Sequence, residues 1–214
     1  MEKSRPGVGK NMGLGGVMLA AFAIVASGLV AVTYDNTKER IAENEKQVLL
    51  NSLHVLVPPE LHDNDLYTDR VDVQSKTLSY REKPVTAYLA TKDKQPVAAI
   101  LSVVAPDGYS GAIKLLVAIR WDGTLLGVRV VAHKETPGLG DAIESEKSNW
   151  IKIFEGKSLT NPSEREWLVK KDGGEFDQLT GATITPRAVV GTVYKSLRFF
   201  RIHKQLLFSI LPQS

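Results

Sequence analysis

Three threonines lie close together in the stretch Asp177-Gln178-Leu179-Thr180-Gly181-Ala182-Thr183-Ile184-Thr185-Pro186. A threonine hydroxyl can carry a phosphoryl group once a base activates it, and it can also cap a helix. Proline is tolerated in a first helical turn, where its missing N–H has no partner to lose. Thr185 before Pro186 therefore predicts an N-cap, with a helix through the apolar run from Ala188. The free N–H groups and positive dipole end of that helix favour a phosphate beside Thr180 to Thr183. Gly181 and Ala182 leave room for one. The same residues also suit a simple turn and cap, and local chemistry alone leaves both readings open.

A second stretch combines polar side chains with tight-turn residues: His133-Lys134-Glu135-Thr136-Pro137-Gly138-Leu139-Gly140-Asp141. It follows a predicted strand and reads as a tight loop before a helix around Ala142.

Asp-x-x-Thr-Gly-Ala-Thr resembles the flavinylation motif of the FMN-binding domain family, whose last threonine is esterified to the phosphate of FMN. By position that is Thr183, with Thr180 at the unmodified position and Gly181 and Ala182 between them. Glu-Thr-Pro-Gly-Leu-Gly resembles the loop that lies against the flavin in this family. It implies polar contacts from Glu135 and Thr136 and an apolar one from Leu139. The resemblance runs from about Pro96 to Phe200. It implies that Tyr109 approaches the ring and that Asp177 serves recognition by a flavin transferase moving FMN from FAD. Lys171, beside Lys170, lies close in sequence to the phosphate position and could neutralise it.

Composition bounds the rest. The 214 residues are 43% hydrophobic and 24% charged, with a formal net charge of +3, too small to argue for nucleic acid. There is no cysteine, which excludes disulfides, Cys-ligated iron–sulfur clusters and c-type haem in this chain. His54, His62, His133 and His203 show no metal-ligand spacing. A chain of this kind that handles electrons needs an organic cofactor.

The elements that must position these residues follow in order. Lys3, Arg5 and Lys10 precede the uncharged run Gly13 to Val32, long enough at ~1.5 Å per residue to cross a ~30 Å hydrocarbon core. The basic side predicts a cytoplasmic N-terminus and an exported domain. A cleaved signal peptide would export the domain too, but Leu29 to Val32 continue past any small-residue cleavage site. Gly16, Ala20, Ala23, Ser27 and Ala31 form a small-residue stripe of the kind that lets membrane helices pack. Asn36 and Glu39 predict a capping box opening a second helix, which stops near Pro58-Pro59. Residues 60 to 80 read as loop. Strands are predicted over Val85–Thr91, Val97–Ala105, Ala112–Trp121 and Thr124–His133, the last two joined by a two-residue Asp122-Gly123 hairpin at the sheet centre. Alternation in the last strand predicts one buried face. Trp150–Phe154 reads as a short helix and Trp167–Val169 as a short strand. The helix from Pro186 continues past Phe199 as either core helix or basic surface helix, and Pro212 is expected to end it.

The expected fold is α+β: one N-terminal transmembrane helix, then an FMN-binding domain with an antiparallel sheet flanked by helices. The expected divisions are a cytoplasmic N-terminus (1–12), the transmembrane helix (13–34), a membrane-proximal helix and connector (35–84), the FMN-binding domain (85–200) and the C-terminal helix end (201–214). With its membrane segment the chain is similar to the G subunits of Rnf (Rsx) ion-translocating electron-transport complexes. It is more distantly similar to the C subunits of sodium-translocating NADH:quinone reductases. That resemblance implies a redox subunit without independent catalytic activity, passing electrons between ferredoxin and NAD in a complex that moves sodium or protons. It implies the other complex subunits, a flavin transferase and the lipid bilayer as partners, with the domain on the periplasmic side of a bacterial inner membrane. The alternatives are an anchored non-redox binding or assembly module, and a hydrolase using Thr183.

Overall fold

The computed structural model describes residues 8 to 210, with side chains from residue 12 onward. Lys3, Arg5, the side chain of Lys10 and the expected stop at Pro212 lie outside the described residues. The chain divides into two units, one ending at Leu49 and one running from Leu50.

Helix α1 spans Val8–Leu56. Its apolar stretch is exposed throughout, from Met12 to Tyr34, and is long and apolar enough to cross a membrane. It fits single-pass anchoring. The expected break at Asn36 is absent, because the hydroxyls nearby bond back onto their own helix. Thr33 Oγ1 donates to the Leu29 carbonyl at 2.8 Å and Thr37 Oγ1 to the Thr33 carbonyl at 2.8 Å. Side chains satisfied this way do not compete with the helical backbone. The stop before Pro58 holds, and Pro59–Leu61 follows as a single 3-10 turn.

In the unit from Leu50, strands β1 (Arg70–Val73), β2 (Val85–Lys92), β3 (Gln95–Ala105), β4 (Ile113–Arg120) and β5 (Leu125–Ala132) form one antiparallel sheet in chain order. Helix α2 (Ile184–Ser209) packs across β2, β3 and β4. The fold is α+β, as the strand and helix patterns predict.

The β4–β5 loop has three residues rather than two. Arg120 N–H donates to the Thr124 carbonyl and Gly123 N–H to the Arg120 carbonyl, both at 2.8 Å, so Trp121 joins Asp122 and Gly123 in the turn. The hairpin also lies at the sheet edge, with β3 in the middle. Trp167–Val169 is not a strand. Val169 forms one isolated bridge to Phe176, and Trp167 is buried beside Phe176, with ring centroids 4.8 Å apart.

Both faces of the central strands are buried, against the expectation of one. Leu89, Leu101, Val117 and Val128 face α2 and the aromatic cluster of Phe154, Trp167 and Phe176. The register places Tyr88, Ile100, Ala118 and Gly127 in a row on the opposite face. There Gly127 lets Leu56 approach: a Cβ at that position would stand 3.1 Å from Leu56 Cδ2. The last turns of α1, through Leu53 and Leu56, thus cover what would otherwise be a wet face.

Residues 60 to 80, expected as loop, contain β1. They are held by a polar suture with no hydrophobic period. Asn64 Nδ2 donates to Asp69 Oδ2 at 2.7 Å and to the Leu89 carbonyl at 2.8 Å, while Asn64 Oδ1 accepts the Thr91 N–H at 2.8 Å. Asn64→Ala removes three bonds and leaves backbone groups of β2 short of a partner. It is expected to destabilise the fold by about 1–3 kcal/mol, read as a lowered denaturation midpoint in detergent. An unchanged midpoint would show that Asn64 does not hold the connector.

Candidate functional site

Glu135 lies just past the end of β5 and is only 4% exposed. Its Oε1 accepts the Ser110 N–H at 3.0 Å, from the β3–β4 loop. Its Oε2 accepts the Thr185 hydroxyl from the first turn of α2. One carboxylate therefore joins three segments distant in sequence. Gly140 makes the approach possible: a Cβ there would stand 2.9 Å from Glu135 Oε2 and 3.0 Å from Thr185 Oγ1.

The loop itself is braced from behind. The Glu135 N–H donates to His133 Nδ1 at 2.9 Å, so Nε2 carries the ring proton toward Glu144 Oε1 at 2.6 Å. Lys147 Nζ reaches Asp141 Oδ2 at 2.7 Å and Glu144 Oε1 at 3.1 Å. The bonds from His133 and then Lys147 hold the Glu144 carboxyl below its ordinary range. The bond from Lys147 does the same for Asp141. The loop therefore keeps its ion pairs at neutral pH.

The opposite wall comes from the turn before α2. The Ala182 N–H donates to the Leu179 carbonyl at 3.0 Å, with Gly181 at a φ of +77° that other residues rarely adopt. A bidentate pair between Arg187 and Asp172, at 2.5 and 2.6 Å, ties α2 to the Lys170–Asp172 turn and brings Lys171 to the same place. Arg187 keeps the Asp172 carboxyl below its usual range.

These walls enclose an open cleft of about 520 Å³. Tyr109, Glu135, Thr136, Leu139, Lys171, Gly181, Ala182 and Thr183 all line it, so the two sequence blocks meet at one site. Two expected residues do not. Thr180 is exposed and absent from the lining. Asp177 also lies outside it, its carboxylate paired with Lys170 at 2.7 Å and its carbonyl accepting the Trp150 Nε1–H at 2.6 Å. Glu135 does line the cleft, but both its oxygens are already engaged by protein.

Thr185 is not the N-cap. Helix α2 begins at Ile184, with Thr183 at the cap position and no side-chain cap bond. The buried Glu135 carboxylate is a stronger acceptor than a helix end and takes the Thr185 hydroxyl. Sequence reasoning missed Arg187, whose distance from Asp172 in the chain hides their pairing. It also missed Ile184, Thr185 and Gly140 as lining residues.

The residues present fit a flavin mononucleotide. The volume lies within the ~300–1,000 Å³ usual for small-molecule sites. Leu139, Ala182 and Ile184 give an apolar wall for a ring, and Tyr109, 68% exposed, stands at the lip. The first N–H groups of α2 lack intrahelical acceptors and, with Lys171, suit a phosphate.

A cleft at a helix N-terminus, on an antiparallel sheet that follows an apolar helix in the chain, suits one class: a flavin-binding domain joined to a helix that fits single-pass anchoring. Residues 108–198 match the FMN-binding domain family, and residues 1–56 match the RnfG N-terminal region. The chain is 50% identical over 192 residues to the G subunit of the ion-translocating oxidoreductase complex of Vibrio cholerae (strain O395), covering 90% of this chain and 91% of that one. It is 47% identical over 195 residues to the Shewanella baltica protein of the same name, covering 91% and 92%. For the Pseudomonas aeruginosa one the figures are 49% over 193 residues, with 90% of each chain covered. The chain belongs to the family of ion-translocating oxidoreductase complex G subunits, and FMN is its cofactor.

Thr185→Val keeps the shape but removes the hydroxyl bonded to Glu135. The expected loss is about 1–3 kcal/mol of stability, measured by chemical denaturation. A neutral outcome would show that the Glu135–Thr185 bond does not hold the cleft.

Proposed function

We propose that this chain is the electron-transfer subunit of a membrane-bound ion-translocating oxidoreductase complex, and that Thr183 carries its FMN as a phosphoester. The observation that carries the attachment is a contrast among three hydroxyls. Thr180 lies off the cleft, and Thr185 is buried and bonded to Glu135. Thr183 lines the cleft at the start of α2 and makes no cap bond.

When bound, FMN supplies one- or two-electron chemistry that no side chain of this cysteine-free chain provides. The chain's own residues hold and orient it. Leu139, Ala182 and Ile184 exclude water from one side of the ring. Lys171 and the helix N-terminus balance the phosphate charge. Asp172 fixes the orientation of Arg187 at the cleft edge.

Attachment requires a second protein. Glu135 is the only carboxylate lining the cleft among the described residues, and its oxygens are taken by Ser110 and Thr185. No base remains beside Thr183, which also disfavours a threonine hydrolase. A flavin transferase supplies the base: Thr183 Oγ1 attacks the FMN phosphorus of FAD, AMP leaves, and the transferase takes the hydroxyl proton. Asp177, the exposed first residue of the motif, is a contact for such an enzyme, together with Lys170, which pairs with it.

With the transferase coexpressed, Thr183→Ala is expected to abolish flavin fluorescence on denaturing gels while the protein stays folded. Thr185→Val should retain it. FMN still covalently attached to the Thr183→Ala protein would falsify the assignment.

The same reading places the domain on the periplasmic side of a bacterial inner membrane, because Lys3, Arg5 and Lys10 precede the apolar run. A phosphatase active only outside the cytoplasm, fused after residue 60, is expected to be active. An inactive fusion reverses the topology. Ferredoxin, NAD and ion sites are assigned to other subunits, since the apolar run holds no ionisable residue.

A further inference from the structure

The C-terminal half of α2 has two faces of different character. Phe199, Phe200 and Leu207 are buried in the core. On the other side Ile202, Leu206 and Ile210 are 68%, 52% and 52% exposed. They succeed one another at four-residue steps, which places them in one row along the helix. Among the described residues from Leu50 onward, no other three exposed large apolar side chains share such a row.

The row continues into positive charge. Arg198 stands one step before Ile202, and Lys195 and Arg201 are exposed beside it. Between this stretch and the turn after β1 lies a second cleft of about 430 Å³, lined by Lys76, Lys195, Arg198 and His203 together with the hydroxyls of Ser75 and Thr77. Among the described residues, no carboxylate lines it. Exposed apolar side chains flanked by cations, on a helix whose other face is already packed, are what an interfacial helix shows to a bilayer.

We propose that the C-terminal half of α2 is a membrane-interface contact. Ile202, Leu206 and Ile210 enter the boundary between headgroups and acyl chains. Lys76, Lys195 and Arg198 bind the headgroup phosphates of anionic phospholipid. Charge complementarity favours lipid: cations and hydroxyls without carboxylates suit a phosphodiester, and each basic residue near an anionic surface adds attraction. The proposal rests on the reading of α1 as an anchor, which keeps a bilayer always within reach and makes the encounter intramolecular. The FMN cleft then lies at the other end of the same 26-residue helix, with Leu206 about 33 Å from Ile184 at ~1.5 Å per residue.

The absence of native cysteine makes the test clean. Full-length Leu206→Cys and Lys152→Cys proteins are labelled with an environment-sensitive fluorophore. Each is reconstituted into vesicles of phosphatidylcholine, with or without phosphatidylglycerol, containing acyl-chain spin-labelled lipid. Flotation is scored first; a chain that does not float with vesicles overturns the anchor and the proposal with it. In floating vesicles, lipid quenching is expected to be several-fold stronger at 206 than at 152. It should increase with phosphatidylglycerol and weaken in high salt or with Lys195→Glu/Arg198→Glu. Equal quenching at both positions in floating vesicles overturns the lipid contact while leaving the anchor intact. An emission change at 206 that appears only after other complex subunits are added, without lipid quenching, assigns the face to a protein partner and also overturns it.

Discussion

The buried carboxylate of Glu135 is the constraint on which the cleft depends. A carboxyl group taken out of water needs hydrogen-bond partners, and here they come from Ser110 and Thr185. Satisfying that one group draws the β3–β4 loop and the start of α2 onto the end of β5. Tyr109 and Thr183 reach the same cleft because their chain neighbours are bonded to the same side chain. The glycine at position 140 is part of this demand, since any Cβ there would push the carboxylate and the hydroxyl apart.

A second layer of structure keeps the bonding possible. The His133 ring and the Lys147 pairs fix the loop that carries Glu135, and the Arg187–Asp172 pair fixes the helix that carries Thr185. The sheet beneath is covered on both faces. α2 and the aromatic cluster lie on one side, and the end of α1 on the other. The FMN site is thus built mostly from loops, and its rigidity is borrowed from a sheet with no wet side at its centre.

Much of this could be read from the chain. Strands β2 to β5 carry dense β-branched and aliphatic runs bounded by turn residues, and they appear within a few residues of where the pattern puts them. The two glycine-rich blocks meet as expected. What escaped was long-range pairing. β1 has too few apolar residues to show a period, and its place depends on Asn64 finding β2 some 25 residues later. Thr185 looked like a cap because local sequence shows its neighbours and not Glu135, 50 residues earlier. The break expected at Asn36 failed because capping propensity is only one option for a polar stretch, and Thr33 and Thr37 took the other. The face of α2 beyond Phe199 was ambiguous in sequence because it is both things at once, buried on one side and basic on the other.

The sheet is a simple meander in which every strand pairs with its neighbour in the chain. Contacts of that kind join segments close in sequence, which is the topology that folds fast. The Glu135–Thr185 link is different, because it must close a loop spanning 50 residues. An unfolded chain can zip its strands together hairpin by hairpin, but its cleft exists only once the last helix has come home. FMN held in that cleft is therefore a mark of completion, because only a molecule folded through its last helix presents both walls to it.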